Sequence, residues 1–157
     1  IFNYQTNTGM FNSVHKYTFT TAWDMGSSIA ALVSAEQLEI INQEQFRKYI
    51  RLLLQTLQLI PLYNGELPNR EYNTKTAKMV DLKNRPSNKG SGWSALDIGR
   101  LLIWLKLVAQ WYPEFKKDVQ KVVNRWKFDR LILNKEMNGM FYNGKIEILR
   151  QEGRFGY

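Results

Sequence analysis

A chain of 157 residues with 44% apolar content is long enough to bury one ordinary core and too apolar to stay disordered. Its formal net charge of +8 raises nucleic acid and anionic lipid as partners, while zero cysteines exclude disulfides, thiolate metal ligands and thiol nucleophiles. The longest apolar run, Leu101 to Ala109, is interrupted by Lys106 and is too short to span a bilayer.

In chain order, Gly9-Met10-Phe11-Asn12 reads as a hairpin before the first helix. From about Ala22 to Glu39 the pattern is helical, with Ile29, Leu32, Val33 and Leu38 as apolar positions. Asn42 followed by Gln45 marks the start of a second helix, whose stripe is Phe46, Ile50, Leu53, Leu57 and Ile60. Pro61 and the turn Tyr63-Asn64-Gly65 end it, so the two helices form an αα-hairpin. The polar stretch from Leu67 to Gly92 is long for an unstructured connection, and predicts short strands such as Arg70 to Thr76 or a functional loop.

A third helix follows from about Ala95 to Gln110, apolar almost all round and therefore expected to be buried on most sides. Pro113 fits the first turn of a fourth helix, with Phe115, Val119, Val122, Val123 and Trp126 as its stripe. Asn138-Gly139 and Asn143-Gly144 bracket a tight β-hairpin that continues through Lys145 to Leu149. The cations gather on the polar connection (Arg70, Lys75, Lys78, Lys83, Arg85, Lys89) and around the fourth helix (Lys116, Lys117, Lys121, Arg125, Lys127, Arg130). The second group has the spacing of a solvated helix face, and no nucleic-acid-binding signature accompanies either, so nucleic acid is not an expected partner.

One motif occurs twice. Thr21-Ala22-Trp23-Asp24-Met25-Gly26-Ser27 is echoed by Ser94-Ala95-Leu96-Asp97-Ile98-Gly99-Arg100, 73 positions later, and Gly65 to Asn69 is echoed more loosely by Gly139 to Asn143. Such an echo points to one structural unit used more than once, with repeat units of about 1–66 and 67–157. The expected fold class is mainly α: repeated αα-hairpins with short β-hairpins between them, part of an (α/α) toroid. Two hairpins side by side leave inner faces uncovered, so the rest of the ring is expected from residues outside this chain or from another chain.

Asp24 and Asp97 head the candidate residues. Both fit the hydroxyl-x-x-acid capping pattern, and an acid in the first turn complements the helix dipole. Both also sit where two inner helices start, which would bring two carboxylates to one cavity, the arrangement glycoside hydrolysis needs. Glu66 and Glu71 are loop acids, either solvated or placed at a cavity mouth as a general acid. Tyr72-Asn73-Thr74 is suited either to turn formation or to binding a hydroxyl-rich ligand. Trp23 and Trp93, at the starts of the inner helices, divide between core packing and a sugar-stacking platform. His15 is the single histidine, which excludes multi-histidine metal sites. Gly90-Ser91-Gly92 is a weak anion-loop signal without phosphate-loop spacing.

The segments Thr21 to Ser27, Leu67-Pro68-Asn69 with Tyr72-Asn73-Thr74, Gly92 to Leu101, and the closing Gly153-Arg154-Phe155-Gly156-Tyr157 resemble the bacterial domain-of-unknown-function family 3131. Asn69 to Thr74 and Ser94 to Arg100 are more faintly similar to the glucoamylase-like domains of bacterial β-glucan enzymes, with Asn73 and Arg100 where those domains carry Asp and Asn. The resemblance implies an (α/α) toroid with a carbohydrate-binding cleft, in which Asp24, Asp97, Tyr72, Asn73 and Thr74 are cleft candidates.

The expectation is a glycoside hydrolase-like domain acting without a cofactor or metal on a bacterial β-glucan or envelope polysaccharide. Asp24, Asp97, Glu66 and Glu71 are its candidate acids and bases, and Trp23, Tyr72, Asn73, Thr74, Trp93 and Arg100 its candidate sugar contacts. The alternative is a non-catalytic glycan-binding or scaffolding domain. The chain begins with Ile1 rather than Met, which is compatible with a removed leader and an exported or periplasmic location.

Overall fold

The computed structural model describes residues 3–142 and 144–150. The closing Gly153 to Tyr157 segment, one of those that carry the family resemblance, lies outside them, as does Asn143.

Helix α1 (Ala22–Gln37) starts where Thr21 takes the cap position: its Oγ1 accepts from the Asp24 amide at 3.1 Å, and the Asp24 carboxylate accepts from the Thr21 amide at 3.3 Å. Helix α3 (Ala95–Trp111) is capped by Ser94, whose Oγ accepts from the Asp97 amide at 3.3 Å. Each cap is the last residue of a short strand, β1 (Phe19–Thr21) before α1 and β5 (Gly92–Ser94) before α3. Helix α2 (Gln43–Leu57) has the reciprocal Asn42–Gln45 box at 2.9 and 3.0 Å. Proline at position 113 opens a 3₁₀ turn, Pro113–Phe115, and α4 (Lys116–Val123) continues from it.

The helices pair by direction. Arg100 of α3 meets Trp23 and Ser27 near the start of α1, and Tyr112 past the end of α3 meets Glu36 and Gln37 at the end of α1, so α1 and α3 run parallel. Likewise Arg47 pairs with Glu114 at 3.0 Å at the start of α2 and α4, and Arg125 donates to the Leu57 and Ile60 carbonyls at 2.8 and 2.7 Å beyond their ends. Two αα-hairpins thus lie side by side. Between them, Met25, Ile29, Phe46, Ile50, Leu53, Ile98, Leu101, Leu105, Val119 and Val122 form one buried cluster.

The strands are short and antiparallel. The pair β2 (Leu62–Tyr63) and β3 (Leu67–Pro68) closes the turn after α2, and β4 (Glu71–Asn73) pairs with β1, Thr21 opposite Glu71. Strand β7 (Glu136–Tyr142) is flanked by β5, β6 (Ile132–Leu133) and β8 (Ile146–Arg150).

Three expectations need correction. Helix α3 is buried along one stripe only; Ile103 is 59% and Trp111 51% exposed, because α1 and α4 cover a single side of it among the described residues. Asn138-Gly139 is no turn: it lies inside β7, with Gly139 paired to both Ser94 and Leu149. The basic set around α4 is not a uniform solvated face either. Lys121 pairs with Asp118, Arg125 caps the end of α2, and Arg130 pairs with Glu66.

The two glycines of the echoed motif have different surroundings. A Cβ on Gly26 would lie 3.1 Å from the backbone of Arg100 and Leu101, whereas one on Gly99 would meet nothing within 4 Å. Gly26→Ala is therefore expected to force α1 off α3 and to cost about 1–3 kcal/mol. Gly99→Ala removes a helix-interior glycine without a clash and should stabilise by about 0.5–1 kcal/mol. Urea unfolding midpoints of the two variants test this; equal effects would contradict the backbone-to-backbone contact.

Candidate functional site

Because α1 and α3 are parallel and each follows a strand, their first turns open at the same rim. Asp24 and Asp97 come together there closely enough to repel one another electrostatically. Asp24 Oδ2 accepts from Ser13 Oγ at 2.6 Å, Thr21 Oγ1 at 2.7 Å and the Thr21 amide. Asp97 Oδ1 accepts from Ser94 Oγ at 3.0 Å. Both residues therefore cap their helices and also line the rim, so capping does not withdraw them from the site.

Glu71 joins them from β4. Its carboxylate is 1% exposed, accepts a short hydrogen bond from Ser91 Oγ and pairs with the Arg70 guanidinium at 3.5 Å. Asn69, buried beneath, fixes this arrangement by accepting from the Ser91 amide at 2.8 Å and donating to the Glu71 carbonyl at 2.6 Å. Burial pushes the Glu71 carboxyl above its ordinary value, opposed by the Ser91 hydroxyl and Arg70 and reinforced by the charges of Asp97 and Asp81. Burial likewise raises Asp97, opposed by Ser94 and Arg70 and reinforced by Asp24. Two carboxyls raised by burial thus stand beside a third, a perturbation found both at functional sites and in structural networks.

Trp23 stands at the same rim, 44% exposed, with the Arg100 guanidinium 4.4 Å above its ring and held by Ser27 Oγ at 3.0 Å. An aromatic face with a cation behind it and solvent in front is a suitable sugar-stacking surface.

The remaining candidates lie elsewhere. Glu66 is tied to Arg130 at 3.2 Å, and its carbonyl accepts from the Lys127 amide, which places it against the segment after α4. Tyr72 is fully buried; its hydroxyl accepts from the Asn69 amide and donates to the Pro61 carbonyl, each at 2.8 Å, and burial raises its pKa. Asn73 makes the turn alternative real, its Oδ1 accepting from the Lys75 and Thr76 amides. Thr74 is buried and donates to Asn12 Oδ1 at 2.5 Å. Trp93 is 2% exposed and packs in the core. His15 is exposed beside Asn3. Gly90-Ser91-Gly92 is glycine-rich for packing: a Cβ on Gly90 would fall 2.5 Å from Asn69 Oδ1, one on Gly92 would overlap the Met140 carbonyl, and both have positive φ. The Ser91 amide of that motif is engaged by Asn69.

Sequence reasoning missed Arg70, Ser91, Asn69 and Ser13 as members of the site. Arg70 stood next to a candidate acid, Ser91 lay inside a weak anion-loop signal and Asn69 inside a segment that carries the family resemblance, whereas Ser13 carried no local signal. Among the described residues no group of three or more His, Cys, Asp or Glu side chains is arranged to hold a metal ion. No helix among them is long and apolar enough to cross a membrane.

The model of the family described as "Protein of unknown function (DUF3131)" matches residues 2–157. The chain belongs to the DUF3131 family. No curated protein matches it. Among solved structures, it is similar to a candidate glucoamylase from Bacteroides caccae, with a TM-score of 0.60 and 15% identity over 78% of this chain and 32% of that one. It is also similar to a candidate glucoamylase from Bacteroides fragilis, with a TM-score of 0.54 and 16% identity over 75% of this chain and 28% of that one. At these identities the likeness concerns the fold, which is glucoamylase-like, and the DUF3131 chain spans about a third of the length of either neighbour.

The raised Glu71 and Asp97 carboxyls give a pH prediction. Above the ordinary 4.5 of glutamate and 3.8 of aspartate, the unfolded chain releases protons that the folded chain retains, so stability falls as pH rises through that interval. Glu71→Gln keeps an acceptor for Ser91 and removes the desolvated charge, and should flatten the fall above pH 4.5. Urea unfolding between acid and neutral pH measures it; a variant curve parallel to wild type would contradict the buried carboxyl.

Proposed function

We propose that this DUF3131 chain is a sector of an (α/α) toroid, built from two related αα-hairpin units, that hydrolyses a bacterial β-glucan or envelope polysaccharide. The observation that carries the reading is the meeting of Asp24, Asp97 and Glu71 at the rim where two parallel helices begin, beside the exposed Trp23. The glucoamylase-like fold supports it, since the neighbours' own descriptions name a carbohydrate-active class.

In the proposed reaction Asp97, biased toward its protonated form by burial, donates to the glycosidic oxygen as the bond to the anomeric carbon breaks. Asp24 acts from the opposite side as carboxylate. Its Oδ2 is held by Ser13 and Thr21, which leaves Oδ1 to activate water or to attack the anomeric carbon. Burial raises the proton affinity of Asp97, Arg70 lowers it and the Asp24 charge raises it, while the Asp97 charge adds to the burial that raises Glu71. Trp23, backed by Arg100, supplies the stacking face for a neighbouring sugar ring. Glu66, committed to Arg130, takes no part.

Release of reducing ends from a panel of β-glucans and envelope polysaccharides tests the reading. Asp97→Asn and Asp24→Asn should each lower the rate on a responsive substrate about 10²- to 10⁴-fold while binding is retained. Asparagine variants that turn over at the wild-type rate would remove both residues from the chemistry. Retention on a polysaccharide gel without any released ends would replace hydrolysis by binding.

A further inference from the structure

Next to the carboxylate rim lies a pocket of about 590 Å³ whose wall includes Arg70 and Ser91, the two residues that hold Glu71. This size falls within the usual range of ligand cavities, roughly 300–1,000 Å³. Arg70 therefore touches both the pocket and the buried Glu71.

The charge balance of the pocket is positive. Arg85 is engaged by Asp81, with Nη2 at 2.6 Å and Nε at 2.7 Å, and Glu147 is engaged by Lys145 at 3.2 Å, so these four charges cancel in pairs. What remains in the lining is Arg70 and Lys83, while Lys89 stands outside it against the ring of Tyr142, a lining residue. Lys83 and Lys89 have no carboxylate partner among the described residues, and Arg70, paired with the buried Glu71 at 3.5 Å, remains part of the pocket wall. The aromatic lining belongs to the same cationic set: the Arg70 guanidinium lies 4.4 Å from the Phe141 ring centroid and Lys89 Nζ 5.5 Å from that of Tyr142. Cations seated on aromatic faces suit a ring-shaped ligand that carries negative charge.

We propose that this pocket is a subsite for an anionic sugar, one bearing a carboxylate or phosphate substituent, with Arg70 as its central anchor and Lys83 and Lys89 at its mouth. The inference rests on the reading of the rim as a glycan site and narrows it from polysaccharide in general to acidic polysaccharide. Arg70 then has two contacts to serve, the acid at Glu71 and the substituent of the bound sugar, which makes it a specificity-determining residue.

Calorimetric titration with size-matched neutral, uronate-containing and phosphate-substituted oligosaccharides, at low and moderate salt, tests the proposal. One acidic series should bind about tenfold or more tightly than the neutral one, and salt should weaken that preference by screening. Arg70→Gln, and separately the surface pair Lys83→Gln with Lys89→Gln, should bring acidic and neutral binding toward equality. The lysine pair makes no core contact, so its result stands even where Arg70→Gln impairs folding. Neutral and acidic sugars bound alike, or a preference that survives both sets of substitutions, would overturn the anionic subsite while leaving the glycan reading in place. Inorganic phosphate displacing the acidic sugar as well as its own neutral parent fails to do would reduce the pocket to a simple anion site and also overturn it. No binding of any oligosaccharide would remove the glycan reading itself.

Discussion

The structure turns on the backbone of one residue. The Arg70 carbonyl accepts from the Ala22 amide at 3.1 Å and the Arg70 amide donates to the Gly92 carbonyl at 2.8 Å. The first residue of α1 and the strand leading into α3 are thereby joined through a single peptide segment. Buried backbone groups must find partners, and here Arg70 supplies one to the first residue of α1 and one to the strand that leads into α3. Pairing of β1 with β4 extends the same join, since Thr21 faces Glu71 in that ladder. The register of these few residues fixes where Asp24, Glu71 and Asp97 stand relative to each other, and does so with main-chain bonds that leave the side chains available.

That arrangement sets two capping aspartates at one rim. A first-turn aspartate receives its own cap hydroxyl and the favourable end of a helix dipole, and both hold its orientation. Orientation is what a reacting carboxylate needs as well. Asp24 makes its cap contacts through one oxygen, and Asp97 through Oδ1 with Ser94. Of the alternatives posed by the sequence, capping is what both residues do, and the proposed chemistry makes use of the same orientation. The cost is desolvation with repulsion added: burial raises Glu71 and Asp97 most, the neighbouring carboxylates add to it, and Arg70 opposes only part of the rise.

Helix positions and caps were legible in the sequence because they depend on neighbours within four residues. Asn42 with Gln45, Thr21 with Asp24 and Ser94 with Asp97 all appear as read, and each helix starts within a residue or two of its expected place. Burial of the aromatics was not legible. Trp23 and Trp93 occupy similar places in the chain, yet one is 44% exposed and the other 2%, because Trp93 lies in β5 against β7 while Trp23 is the second residue of a helix. Tyr72 looked like a sugar contact because Asn and Thr follow it, but in β4 alternate side chains point to opposite sides, and its side enters the core. Arg70 and Ser91 were missed for a related reason. Their importance comes from an encounter across about twenty positions, made by the Asn69 side chain, and no local pattern records it.

The two copies of the echoed motif show how a shared local pattern can diverge in consequence. Both copies keep hydroxyl, acid and glycine, and in both the first two make the cap. The glycines differ: Gly26 admits the backbone of α3 at van der Waals contact, while Gly99 faces open space. Packing of α1 against α3 requires only one close approach, and a parallel pair of helices achieves it by lending a glycine from one partner. The second glycine is then released from packing. It lies two residues beyond Asp97 and one before Arg100, on the turn that carries the acid and the cation of the rim. A side chain at that position would meet no neighbour, so the glycine of the shared motif is needed for packing in α1 and is not needed for it in α3, while the cap is kept in both.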